Sequence, residues 1–138
     1  MKNEFWINLA TSDLKRARQF YSDIGFEMND RHGNPEMLSM LVGNKSVVLC
    51  LFSEAFMNGA MGNQKVTNTK ESNEVLFSYG ANSRAEVDEW AKKAVKAGAK
   101  MFSEPADIQG WMYGCGFSDP DGHRWNILFM DMANMPKQ

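Results

Sequence analysis

The sequence predicts an α+β fold, two tandem βαβββ modules whose curved mixed sheets surround a cleft. Three observations carry this. Two capped amphipathic helices each follow a strand-length apolar stretch. Each helix ends at a glycine and is followed by three further strand candidates. The second pattern repeats the first at a spacing of about 70 residues, the mark of an internal duplication.

The first strand candidate is Glu4 to Ala10, with Phe5, Ile7 and Leu9 on one face and Trp6, Asn8 and Ala10 on the other. Thr11 and Ser12 offer N-caps for the helix that follows. Leu14, Ala17, Tyr21 and Ile24 give it a buried stripe, and Gly25 ends it. Phe26 to Asp30 reads as a short strand and Arg31-His32-Gly33-Asn34-Pro35 as a turn. Met37 to Val42 is the next strand, Gly43-Asn44 a hairpin turn, and Ser46 to Phe52 a nearly continuous apolar strand. Residues 1–52 thus form the first module. Residues 53–72 are polar and read as a linker or lid, with a short helix over Glu54 to Met61.

The second module is expected over 73–138. It opens with a strand at Glu74 to Gly80. Ser83-Arg84-Ala85-Glu86 is a capping box. Val87, Trp90, Ala94 and Ala97 form the helix stripe, and Gly98 closes it. Lys100 to Ser103 is a strand and Pro105 to Gly110 a loop. A hairpin then joins Trp111–Phe117 to Arg124–Asp131 around Asp119-Pro120-Asp121-Gly122. Proline presets φ at the second turn position, and Gly122 accepts the positive φ that completes the turn. Along the last strand Arg124, Asn126, Leu128 and Met130 share one face. Trp125, Ile127, Phe129 and Asp131 share the other.

The totals set bounds. At 138 residues the chain is expected to be a single domain (1–138) with a substantial core. Net charge is −2 with scattered basic residues, so neither nucleic acid nor an anionic membrane surface is an expected partner. No apolar run reaches the roughly 20 residues of a membrane span, and MKNEFWINLA lacks a signal-peptide core. Cys50 and Cys115 are isolated and fit a reduced, cytoplasmic protein. Eleven methionines suit an irregular core or a tolerant pocket.

The duplicated module resembles the vicinal oxygen chelate superfamily, which includes glyoxalase I, extradiol dioxygenases and bleomycin-type resistance proteins. The marks are Ser12-Asp13-Leu14, Phe20-Tyr21 and Gly25-Phe26 in the first half, with Asp119-Pro120-Asp121-Gly122 and Trp125 in the second. Asn8-Leu9 and Met112-Tyr113-Gly114 are most similar to a bacterial lactoylglutathione lyase-like branch. The resemblance implies one inward metal ligand from the first and last strands of each half. Carried onto this chain, those positions are Trp6, Cys50, Leu76 and Asn126. Trp and Leu cannot ligate, Asn is a weak neutral donor, and one Cys does not hold a divalent metal alone. A slip of two residues offers Asn8, Val48 or Phe52, Ser78, and Arg124 or Leu128, no better a set. No metal and no cofactor is therefore expected.

Of the two histidines, His32 lies in a turn and His123 opens the last strand opposite Asn126, where a structural role is expected. Both cysteines read as buried and inert. Trp6, Asn8, Cys50, Ser78, Trp111, Tyr113 and Asn126 are expected to line a small-molecule pocket of apolar walls and few polar groups. The resulting expectation is a metal-free binder of a small, partly apolar molecule, assembled as a homodimer. Two alternatives stand beside it. One is a glyoxalase I-like lyase acting on an α-ketoaldehyde–thiol adduct, or another small-molecule enzyme of the superfamily. The other is a structural or interaction protein with a collapsed cleft.

Overall fold

The structure, a computed structural model, describes residues 3–29, 34–44 and 47–137. The chain divides into two compact units, Met1–Asn68 and Thr69–Gln138. Each carries a four-stranded mixed sheet, and neither sheet closes into a barrel.

In the first unit, β1 (Trp6–Thr11) leads to α1 (Leu14–Asp23), β2 (Glu27–Met28), β3 (Met37–Val42), β4 (Val47–Ser53) and α2 (Glu54–Ala60). The strand order is β1-β4-β3-β2, with β1 and β4 parallel and the other pairs antiparallel. Ala17, Phe20, Tyr21 and Ile24 of the helix segment are buried with Leu38, Met40, Leu49 and Leu51 of the sheet. Alternation along β1 and β4 therefore puts Ile7 and Leu9 on the helix side, and Trp6, Asn8, Cys50 and Phe52 on the open side. The helix is capped by Asp13, whose Oδ1 accepts the Arg16 N–H at 3.0 Å, and not by Thr11 or Ser12. Three consecutive capping-competent side chains made the cap ambiguous by one or two residues. Thr11 instead accepts the Asp13 N–H. The expected turn and histidine at 31–33 and the start of the strand at Ser46 lie outside the described residues.

In the second unit, β5 (Leu76–Gly80) leads to α3 (Arg84–Lys96), β6 (Lys100–Ile108), β7 (Met112–Ser118) and β8 (Arg124–Met130), then a short 3₁₀ turn at Met132–Asn134. The order β5-β8-β7-β6 repeats that of the first unit, again with one parallel pair, β5 with β8. Ser83 caps α3 by accepting the Glu86 N–H at 3.1 Å. Glu86 turns back to Asn82 N at 2.6 Å, one residue earlier than the usual reciprocal partner. Cys115, Phe117, Trp125 and Ile127 form the core beneath Val87, Ala91 and Ala94.

The expected loop from Pro105 is instead strand, since β6 continues to Ile108. Its pairing with β7 shifts register between Met101 and Ser103 and again between Ser103 and Ala106. Because β6 is the sheet edge, Pro105 can occupy a strand there without leaving a ladder bond unmade.

The Asp119–Gly122 turn is tied down from two directions. The Asp119 carboxylate accepts the N–H groups of Asp121 at 3.0 Å and His123 at 2.8 Å. Thr69 donates its hydroxyl to the Asp121 carbonyl, and Asn73 Nδ2 donates to the Thr69 carbonyl at 3.1 Å. The stretch that begins the second unit is thereby braced against its most distinctive turn. No described helix is long and apolar enough to cross a membrane.

Candidate functional site

Each sheet has one face covered by its longer helix, α1 or α3, and the polar side chains of interest stand on the opposite face. In the first unit the register aligns Asn8 with Cys50 and Cys50 with Ser39. The Cys50 thiol donates to Ser39 Oγ at 3.7 Å, and Asn29 Nδ2 donates to the same oxygen at 3.2 Å. A polar row thus crosses the sheet from Asn8 to Asn29, bounded by apolar rows. Trp6 pairs with Val48 on one side and is half exposed at 52%. On the other side Phe52 is stacked under Phe56 of α2, ring centroids 4.4 Å apart.

In the second unit the equivalent row aligns Ser78, Asn126 and Gly116. Among the described residues neither the Ser78 hydroxyl nor the Asn126 amide has a hydrogen-bond partner. Gly116 and Gly114 leave β7 bare on this face. A Cβ on Gly116 would stand 2.4 Å from the Phe102 ring, and one on Gly114 would stand 2.5 Å from Leu128 Cδ2. The Phe102 ring therefore lies directly on the backbone, and the Arg124 guanidinium stacks over it at 4.7 Å. Leu76 and Met130, 52% and 49% exposed, supply apolar margins.

Tyr113 does not belong to this face. It pairs with Phe129 on the helix side, and its hydroxyl donates to Asp88 of α3 at 2.6 Å. That hydrogen bond, with burial and the Asp88 charge, raises the phenol above its ordinary 10.0. Arg84 lies over the Tyr113 and Phe129 rings at 5.9 and 5.4 Å and reaches Asp107 and Asp131. Reading Trp111 to Tyr113 as one cluster overlooked that alternate strand positions face apart. Trp111, half-buried, accepts the Asp131 N–H through its carbonyl at 2.7 Å and stands just before β7.

Both cysteines are free and buried, Cys50 at 5% and Cys115 at 3% exposure. Burial, with the nearby Asp88 and Glu104 carboxylates, pushes the Cys115 thiol from 9.0 to about 11. A thiol and a phenol whose folded-state pKa values are raised favour the fold fully below their unfolded values. That contribution fades as the pH climbs through the raised ones. The denaturant midpoint is accordingly expected to hold steady from pH 7 to about 9 and to fall towards pH 11. In parallel, Cys115 is expected to resist a thiol reagent at pH 8 in the native protein and to react at once in denaturant. Rapid native labelling of Cys115, located by mass spectrometry, is the outcome that contradicts this.

His123, which follows the turn, is 5% exposed, and its carbonyl accepts the Asp119 N–H at 2.8 Å.

The donor set at the four positions carried over for a metal does not fit one. Trp6 and Leu76 have no ligating atom, Cys50 is hydrogen-bonded to Ser39, and Asn126 offers one neutral oxygen. Among the described residues no group of three or more His, Cys, Asp or Glu side chains converges. Asn29 and Ser39, which extend the row from Cys50, were missed from sequence. Ser39 interrupts the apolar run of β3 and Asn29 follows β2, a pairing visible only once the strand registers are known.

Comparison with known proteins places these features in context. The model of the Glyoxalase/Bleomycin resistance protein/Dioxygenase superfamily matches residues 5–127. A hypothetical protein from S. aureus is 33% identical with a TM-score of 0.79, covering 94% of each chain. A glyoxalase-related enzyme from Fulvimarina pelagi is 21% identical with a TM-score of 0.78, over 94% of this chain and 88% of that one. A fosfomycin resistance protein from Listeria monocytogenes, solved with manganese(II) and sulfate, is 17% identical with a TM-score of 0.67, over 96% and 93%. Comparison with curated proteins gives no match.

Proposed function

This chain belongs to the Glyoxalase/Bleomycin resistance protein/Dioxygenase superfamily, and on that scaffold we propose that it binds a small, partly apolar molecule without a metal. One observation carries the reading. The sheet faces opposite α1 and α3 keep polar rows, Asn8–Cys50–Ser39 and Ser78–Asn126, between exposed apolar residues such as Trp6 and Leu76. Apolar walls with a few placed polar groups are what small-molecule recognition requires. The metal-binding relative from Listeria shares the fold, but fold does not carry the chemistry with it. A glyoxalase-like proton transfer needs a base beside the reacting carbon. The described residues at the carried positions supply an indole, a thiol, an isobutyl group and an amide.

The exposed Trp6 and Leu76 on the edge strands β1 and β5 also support a homodimer, and the reduced cysteines support a cytoplasmic protein. Two measurements test the proposal. Metal analysis of the purified protein is expected to find no stoichiometric nickel, zinc, manganese or iron. A thermal-shift screen of small aromatic and aliphatic compounds is expected to yield stabilising ligands, worth about 2.7 kcal/mol at a hundredfold excess over Kd. Stoichiometric metal, or turnover of a methylglyoxal–thiol adduct, overturns it. A screen without a single stabilising compound favours a structural role.

A further inference from the structure

From the second unit we infer a more specific ligand class, a small aromatic or apolar molecule bearing an anionic group held by Arg124, Asn126 and Ser78. This rests on the small-molecule reading above and sharpens it.

Two arginines of the same unit differ in their partners. Both stack on aromatic rings. Arg84 also reaches two carboxylates, Asp107 at 3.6 Å and Asp131 at 3.9 Å. Arg124 lies over Phe102 at 4.7 Å, and among the described residues it has no carboxylate partner. Asp88, Asp107 and Asp131 are engaged on the helix side, Asp88 by Tyr113 and the other two by Arg84. Arg124 is thus an exposed cation with a flat apolar support and no counter-charge. A guanidinium is weakly hydrated and presents its donors in a planar fork, which suits carboxylate and phosphonate oxygens.

Its surroundings complete the subsite. The Phe102 ring lies against Gly116, and Gly116 is the register partner of Asn126. The guanidinium stacked on that ring is thereby held towards the Asn126 row. In that row the Asn126 amide and the Ser78 hydroxyl are adjacent across β8 and β5, both without a hydrogen-bond partner among the described residues. A charge and two polar side chains thus share one face of the sheet, where the Phe102 ring covers Gly116 and the Leu128 side chain covers Gly114. Leu76 and Met130 stand along the same face and would take the apolar part of the ligand.

The test pairs two probes of equal shape, phenylacetate and phenylacetamide, titrated into the full chain at low ionic strength and followed by NMR. Phenylacetate is expected to bind about tenfold tighter, with the Asn126 side-chain amide among the signals that move. Raising the salt from 20 to 200 mM is expected to erode the difference. Arg124→Gln is expected to lower phenylacetate affinity to that of phenylacetamide on the unaltered protein, while Arg124→Lys retains part of the preference. Phe102→Leu, which removes the support and keeps the charge, is expected to weaken phenylacetate severalfold. Equal binding of the two probes, or a preference that survives Arg124→Gln, overturns the anionic class and leaves the small-molecule reading standing. Binding of neither probe overturns both.

Discussion

Gly122→Ala is expected to destabilise the protein by roughly 2–4 kcal/mol, read as a fall in urea midpoint at unchanged slope. Two independent costs meet at this position. Its φ of +97° lies where a side chain is strained, and an added Cβ would stand 2.3 Å from the Thr69 carbonyl oxygen and 2.7 Å from its carbon. Those are backbone atoms, so no rotamer change relieves the overlap. Relief requires Thr69 to retreat, which also loosens its hydroxyl from the Asp121 carbonyl. Gly98 separates the two costs. Its φ is +104°, yet nothing lies within 4 Å of an added Cβ. Gly98→Ala is expected to lose only about 1–2 kcal/mol, the backbone part alone. Equal losses at the two glycines mean that the Thr69 stretch yields freely and does not brace the turn.

Trp125→Ala is expected to cost about 3–5 kcal/mol, the range for deleting a large buried aromatic ring. Trp125 is 2% exposed and lies 4.8 Å from the Phe77 ring, with Phe117 as its register partner on β7. The ring links β5, β8 and β7 beneath α3, so its loss leaves a void that three strands and a helix must close. Leu76, next to Phe77 in sequence but on the opposite face and 52% exposed, is the comparison. Leu76→Ala is expected to change stability by within about 0.5 kcal/mol. A Trp125→Ala loss no larger than that of Leu76→Ala contradicts the assignment of faces.

That assignment was legible from the chain alone. Alternation in Trp6–Ala10 and Arg124–Met130 has period two, so one confident turn fixes every face that follows. The duplication was legible because both helices end at glycines with positive φ, Gly25 and Gly98, and both lead into three strands. What was not legible depends on partners distant in sequence. Asp88 claims Tyr113 from 25 residues away. Asn29 reaches Ser39 only because β2 pairs with β3. Thr69 meets Asp121 across 52 residues. The strand at Pro105 escaped detection for a different reason. Proline excludes a central strand, and whether a strand is central or at the edge is a property of the sheet.

The edges of the two sheets are unlike. In the first sheet one edge is β2, only two residues long, and the other is β1, six residues in regular register. In the second, one edge is β6, interrupted by Pro105 and two shifts of register, and the other is β5, five residues without interruption. Each sheet has one blunted edge and one straight one. A strand edge that can be extended is a template for uncontrolled stacking, and proteins suppress it with short, kinked or proline-bearing strands. Blunting one side of each sheet confines any strand addition to β1 and β5. The exposed apolar residues Trp6 and Leu76 lie on these two straight edges, whereas β2 and β6 offer little for another strand to extend.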